Sequence, residues 1–398
     1  MRASSTRRRF LRNSLRASAA TLLGLGGGRL LIPDTLAAAT IPAGFKPVTG
    51  GTLLGVAPFV GEGNFPLETL IGSGLGGRLV LDLSKLSQGT LITVNDKFFI
   101  RTRYPDRLHQ RGPWKILVDG LVGQPMELLL NDLLRDEVPQ GAQLLECSGN
   151  GPNGRFGLIS TARWEGIPIA KVLGRVKVSP RATRVIVSGF DEHSKTYPGS
   201  VAGASWAFSF EQLEKASAFL ATAMNGLPLP KDHGYPVRLV MPGWYGNTCI
   251  KWVNRIVLVG DNAPATGHMK EYASRTHQRA MHKLAKDFEP ANMDLAAMPV
   301  RVEQWRVGGK VVYRVIGILW GGEKQTNELA IRFNSGMNYV PVQDYDHQTN
   351  ATWTIWSHLW NPKEPGHYQI RLKVNDPAIP TRRLDNGHYV RTVEIKTI

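Results

Sequence analysis

Leu144-Leu145-Glu146-Cys147-Ser148-Gly149-Asn150 reads as a short buried strand running into a turn of small residues, with one cysteine at the bend. A thiol on a tight turn suits a nucleophile, a metal ligand or half of a disulfide, and its bland alternative is an inert buried cysteine. The stretch continues through Gly157-Leu-Ile-Ser-Thr-Ala-Arg-Trp-Glu-Gly-Ile-Pro168. Around it the patterning predicts strands over 96–103, 114–120, 184–191, 219–224, 237–241 and 250–259. Short helices are expected over 126–134 and 168–173. A third should run from 209 to 218, where Ser209 and Gln212 have the S-x-x-Q form of a capping box. Three prolines within 227–236 exclude regular pairing there. Strands and helices mix without a βαβ rhythm, so residues 96–262 are expected to form an α+β domain.

The flanks read differently. Residues 40–95 are rich in Gly and Pro and suggest an extended N-terminal segment, too short for a haem domain of ordinary size. Residues 263–298 form a polar connection with little periodicity, and a connection of that length is either functional or disordered. From 299 to 398 short alternating strands recur, at 302–307, 310–317, 328–333, 352–358, 367–374 and 389–398. Their spacing predicts an all-β, immunoglobulin-like sandwich.

The 398 residues are 42% hydrophobic and 20% charged, an ordinary globular composition, and no apolar run is long enough for a membrane span. Thr6-Arg7-Arg8-Arg9-Phe10-Leu11-Arg12, a weakly apolar stretch to Leu31 and Ala37-Ala38-Ala39 follow the order of a twin-arginine signal peptide over residues 1–39. Such signals commonly serve proteins that fold around a cofactor before export, so a periplasmic redox enzyme is expected. The formal charge is +16; the signal holds seven arginines and one aspartate, so its removal leaves +10. That basic surface could steer an anionic substrate or an acidic partner. No zinc-finger spacing or RNP-like motif supports nucleic acid as the partner. Cys147 and Cys249 are the two cysteines. Neither belongs to a C-x-x-C-H run and no His-Pro-Gly-Gly signature occurs, so no haem is expected in this chain. An oxidising compartment leaves a Cys147–Cys249 disulfide open.

Three blocks carry a resemblance. They are Phe98-Phe-Ile-Arg-Thr-Arg103, the Cys-Ser-Gly-Asn turn with Ile-Ser-Thr-Ala-Arg-Trp-x-Gly, and Met224-Asn-Gly-Leu-Pro-Leu-Pro-Lys-Asp-His-Gly-Tyr-Pro-Val-Arg238 continuing to Lys251-Trp252. Together they resemble the sulfite oxidase family of mononuclear molybdopterin enzymes, in particular bacterial periplasmic sulfite dehydrogenases, from about residue 98 to the C-terminus. The resemblance implies Mo-molybdopterin as cofactor, with Cys147 as the metal's protein ligand; soft sulfur ligands suit that metal. Cofactor contacts implied by the matching blocks are Asp191, His233, Arg238 and Lys251, with Phe99, Thr102, Arg103, Cys249 and Ile250 in the corresponding backbone stretches. Without those blocks His233 would read as a loop histidine and Lys251 as a solvated charge. Catalytic roles fall to Arg101 at the substrate anion, Tyr272 in Met269-Lys-Glu-Tyr-Ala, and Arg391 in Asn386-Gly-His-Tyr-Val-Arg. For Tyr272 and Arg391 a surface role is the bland alternative.

The family also implies oxidation of sulfite to sulfate, an external c-type cytochrome as acceptor, and a homodimer through the C-terminal domain. Two departures stand out. Arg103 lies where several relatives have histidine, and Gly151-Pro152 replace a basic pair, leaving that anchor missing or supplied by Arg155. Rival readings are a sulfoxide (methionine sulfoxide) reductase, a nitrate-reducing relative, and a non-enzymatic exported binding protein stapled by Cys147–Cys249.

Overall fold

The strand carrying the cysteine forms as its sequence indicates. Val138–Glu146 pairs antiparallel with Ile159–Pro168, which pairs with Phe219–Met224; Leu227–Pro228 and Arg238–Val240 complete this sheet. The structure is a computed structural model and describes residues 47–109, 112–191 and 204–398. The export signal read at residues 1–39 lies outside the described residues. A second sheet orders Met126–Leu129, Lys115–Gly120, Val253–Val259, Arg184–Gly189 and Ala204–Ser209. Its one parallel pair joins Lys115–Gly120 to Val253–Val259. One apolar core unites both sheets, with Ile116, Trp164, Val187, Phe208 and Leu239 almost fully buried.

Local signals set several boundaries. Ser209 Oγ accepts from the Gln212 amide at 3.1 Å, and Gln212 Oε1 accepts from the Ser209 amide at 2.8 Å, so the capping box closes as expected. The helix it opens, Phe210–Lys215, stops short of 218 because Ser217 turns to φ 51°. The strand expected from 250 begins at Val253, since Trp252 takes φ 52°. Two expectations are corrected. Residues 126–134 divide into the strand Met126–Leu129 and the single-turn helix Leu130–Leu133, because pairing with Lys115–Gly120 overrides the helical spacing. Residues 96–103 form no strand; the amides of Lys97 and Phe98 both return to the Val94 carbonyl, leaving one bridge between Leu79 and Ile100.

The C-terminal residues build two antiparallel sheets. One orders Gly51–Ala57, Ala296–Val307, Lys310–Trp320 and Thr354–Trp360; the other orders Val340–Pro341, Leu329–Phe333, Gly366–Val374, Arg391–Ile395 and Phe59–Val60. The N-terminal segment therefore supplies an edge strand to each. A second core fills the space between them, with Val315, Trp356, Ile331 and Val393 fully buried. The Trp356 ring passes so close to Gly317 that a Cβ there would lie 2.0 Å from it, which demands glycine. Glu303, also buried, accepts from Arg301 and Trp305 at 2.9 Å and from Arg314 at 2.6 Å, so its charge is paired and hydrogen-bonded. Among the described residues no helix is long and apolar enough to cross a membrane.

The two cores meet behind the cysteine. The buried Glu146 carboxyl accepts from Trp320 Nε1 and Tyr389 OH, each at 2.9 Å, and from Asn150 Nδ2 at 3.2 Å. Tyr389 and Asn150 share one carboxyl oxygen and Trp320 holds the other, so removing the Tyr389 hydroxyl takes away one of two donors to a buried oxygen. Tyr389→Phe is expected to lower stability by about 1.5–3 kcal/mol, read as a fall in the denaturant midpoint; an unchanged midpoint would show that this bond does not hold the seam.

Candidate active site

The turn after Glu146 is built to present one sulfur. The Cys147 amide donates to the Leu158 carbonyl and the Asn150 amide to the Cys147 carbonyl, both at 2.9 Å. Asn150 closes the turn from inside, its Oδ1 accepting from the Leu158 amide at 3.0 Å. Cys147 Sγ receives the Gly149 amide at 3.4 Å. Burial pushes the Cys147 thiol up, against the pull of the Gly149 amide and of the Arg101 and Arg275 guanidiniums. Such a sulfur stays protonated until a metal or another strong cation takes the proton's place. Cys249 is also a free, buried thiol, so the Cys147–Cys249 disulfide is not formed.

Cys147 opens onto a cavity that gathers most of the sequence-predicted site. Arg101, Phe99 and Thr102 line it from one segment and Tyr272 from another. Asp191, His233, Arg238, Cys249, Ile250 and Lys251 form the remaining predicted wall. Asp232, Asn247 and His268 also line it and were not singled out from sequence. Asp232 stands inside the Lys-Asp-His run already quoted, so that signal was available; Asn247 and His268 lie in stretches without a motif.

Two predicted residues are elsewhere. Arg103 turns away from the cavity, donating to the Gly72 carbonyl at 2.9 Å and pairing with Asp232 at 3.4 Å, so it ties the N-terminal segment down. Arg391 sits in the C-terminal sheet, paired twice with Glu62 at 2.6 and 2.7 Å, its guanidinium 3.6 Å from the Phe59 ring centroid. The strand Arg391–Ile395 aims it at the N-terminal edge strand rather than at Cys147. The C-terminal arginine that does reach the turn is Arg383, donating to the carbonyls of Ser148 at 2.7 Å and Arg275 at 2.8 Å. Arg155 does not replace the missing basic pair; its Nε donates to Gly63 at 3.1 Å, beside a different cavity.

Both walls carry cationic side chains. Arg101 donates to the Leu75 carbonyl at 3.1 Å, while Arg78 behind it donates to the Arg101 carbonyl at 2.6 Å. Burial and the Arg101 charge push Arg78 down to about 10, so it remains a cation at neutral pH. Burial raises Tyr272 to about 12, leaving its phenol a hydrogen-bond donor. On the far wall Lys251 donates to the carbonyls of Thr102 and Asp232, and Arg238 to those of His233 and Cys249, at 3.2 and 3.1 Å. His233 Nε2 lies 3.1 Å from the Asn95 carbonyl oxygen; burial and the Lys251 and Arg238 charges hold it down to about 3, hence neutral.

Arg238 Nε and both side-chain polar atoms of Asn247 are buried with no partner among the described residues. Buried donors and acceptors left open in this way fit a polar, anionic ligand with hydrogen-bonding edges. No group of three His, Cys, Asp or Glu among the described residues could hold a metal by itself. A metal at Cys147 would have to bring most of its ligands with it.

Comparisons with known proteins agree with this geometry. Residues 103–266 match the oxidoreductase molybdopterin binding domain. The chain is 27% identical over 313 residues to the mitochondrial sulfite oxidase of Rattus norvegicus, covering 72% of this chain and 56% of that protein. It is 30% identical over 209 residues to nitrate reductase [NADH] 1 of Phaseolus vulgaris, covering 48% of this chain and 23% of that one. It thus spans little more than half the length of the sulfite oxidases it matches. The solved sulfane dehydrogenase SoxCD of Paracoccus pantotrophus has a similar fold, with TM-score 0.62 and 19% identity over 92% of this chain and 96% of that one. Residues 103–266 thus carry an oxidoreductase molybdopterin binding domain, and the chain is similar to the sulfite oxidase family of mononuclear molybdopterin enzymes.

Proposed function

We propose that the protein oxidises sulfite to sulfate at a mononuclear molybdenum centre and passes the electrons to an external c-type cytochrome. The observation that carries this reading is the convergence of Cys147, Arg101 and Tyr272 on one cavity beside an open polar wall. Mo-molybdopterin, when bound, supplies oxygen-atom transfer and two-electron redox chemistry. Cys147 would ligate the metal, while Lys251, Arg238, His233 and Asn247 would hold the phosphate and pterin through charge and hydrogen bonds. Arg101 would orient the sulfite dianion, and the Tyr272 phenol would donate to one of its oxygens. The signal read over residues 1–39 supports export folded, by the twin-arginine route, to the periplasm. The paired antiparallel sheets over 299–398 support an immunoglobulin-like C-terminal domain of the kind through which relatives dimerise. In this reading the chain holds no haem of its own and a separate protein takes its electrons.

The purified, molybdenum-loaded protein is expected to reduce cytochrome c in the presence of sulfite. Sulfoxide-dependent oxidation of a reduced dye, without sulfite turnover, would reverse the direction of the reaction and refute the reading. Cys147→Ser should abolish turnover with an unchanged unfolding transition, and retained sulfite oxidation would remove Cys147 as the ligand. Arg101→Met should raise the KM for sulfite about tenfold or more, through loss of a charge-assisted bond to the anion.

Lys251 gives a pH signature in the cofactor-free protein. Burial, then the Arg238 charge, pushes it down to about 7, whereas the unfolded chain keeps that proton to about 10.4. Between those values the unfolded state binds more protons, so stability should rise with pH, and it should level off below the folded value. Denaturant midpoints from about pH 7 to 10 should show this rise in the wild type and a flatter profile in Lys251→Met.

A further inference from the structure

We propose that Arg275, beside the Cys147 turn and the Tyr272 ring, is a second anion-binding residue at this site; this deepens the sulfur-oxyanion reading above and rests on it. A Cβ placed on Gly149 would lie 3.3 Å from Arg275 Nη1 and 3.8 Å from Cys147 Sγ, so the guanidinium nitrogen and the sulfur are within about 7 Å of each other. Glycine at 149 leaves that space open to the guanidinium. The Arg275 guanidinium also lies 5.7 Å from the Tyr272 ring centroid. The two groups assigned to metal and substrate thus share one neighbouring cation. Among the described residues no carboxylate pairs with Arg275, whereas Arg279 in the same loop pairs with Glu289 at 3.5 Å.

The backbone around Arg275 is fixed. Its amide donates to the Tyr272 carbonyl at 3.0 Å, and buried Thr276 Oγ1 donates to the same carbonyl at 3.0 Å. Arg383 clamps the other side, since one of its nitrogens bonds both the Arg275 and Ser148 carbonyls. The distance from loop to cysteine turn is therefore set by structure, and Arg275 itself is solvent-exposed. A small dianion with three oxygens offers more acceptors than the fork of Arg101 can fill. Arg155 is held by the Gly63 carbonyl, whereas Arg275 lies beside the cysteine turn and can offer a second fork there.

The test uses the molybdenum-loaded protein and its Arg275→Gln, Arg275→Lys and Arg279→Gln variants, with thermal unfolding as the folding control. Sulfate binding is measured by calorimetry, alongside KM and kcat for sulfite. Arg275→Gln should raise the sulfate Kd and the sulfite KM about tenfold or more, with a smaller change in kcat. Arg275→Lys should recover part of the loss, and Arg279→Gln should stay within about twofold, as screened surface charges do. Equal sulfate affinity in wild type and Arg275→Gln overturns the assignment. So do equal losses in Arg275→Gln and Arg279→Gln, which would mark a general surface field, and so does a wild type that fails to bind sulfate. A wild type that binds sulfate through Arg275 but turns over no sulfite would retain this site and sink the activity reading alone.

Discussion

The buried carboxyl of Glu146 is the constraint on which the site depends. It takes hydrogen bonds from Asn150 in its own turn and from Trp320 and Tyr389 in the C-terminal core. A buried carboxyl needs such donors, and here they can be supplied only when both cores are assembled. The cysteine next to it is therefore positioned by the whole protein. Arg383 and His388 reinforce the same junction, holding the Ser148 and Asn150 carbonyls at 2.7 and 2.9 Å.

Electrostatics follow from the same economy. The cations near the cavity are anchored largely by backbone carbonyls: Arg78 and Arg101 by Leu75, Lys251 by Thr102, and Arg238 by His233 and Cys249. A carbonyl fixes the direction of a guanidinium without neutralising it, so the charge stays available to an anion. The arginines paired with Glu303 and Glu62 are neutralised by contrast, and they lie in the C-terminal sheets.

Much of this was legible in the sequence, and the failures have physical causes. The cysteine turn, the capping box and the alternating C-terminal strands are local patterns, and local chemistry determines them. The cavity residues could be named because they sit in dense blocks around Arg101, Cys147 and His233. Arg391 was misplaced because a single arginine near the C-terminus carries no signal of where its strand will point; Arg383, eight residues earlier, is the one that arrives. Arg78 and Arg275 were invisible for the same reason. Their importance comes from the Leu79–Ile100 bridge and the Arg383 clamp, which are contacts between remote segments. The helix expected over 126–134 failed where a partner strand outcompeted helical spacing.

The edge strand Phe59–Val60 pairs with Arg391–Ile395, joining residues more than 330 positions apart. Gly51–Ala57 likewise waits for Ala296–Val307. The first edge can close only once residue 307 has emerged and the second only when nearly the whole chain has left the ribosome, so closing the second sheet unites the two extremes of the described sequence. Pairings of such separation are slow because loop closure precedes any gain in contacts. During synthesis the nascent chain would carry open sheet edges for much of its length, which makes shielding from aggregation a demand written into the topology itself.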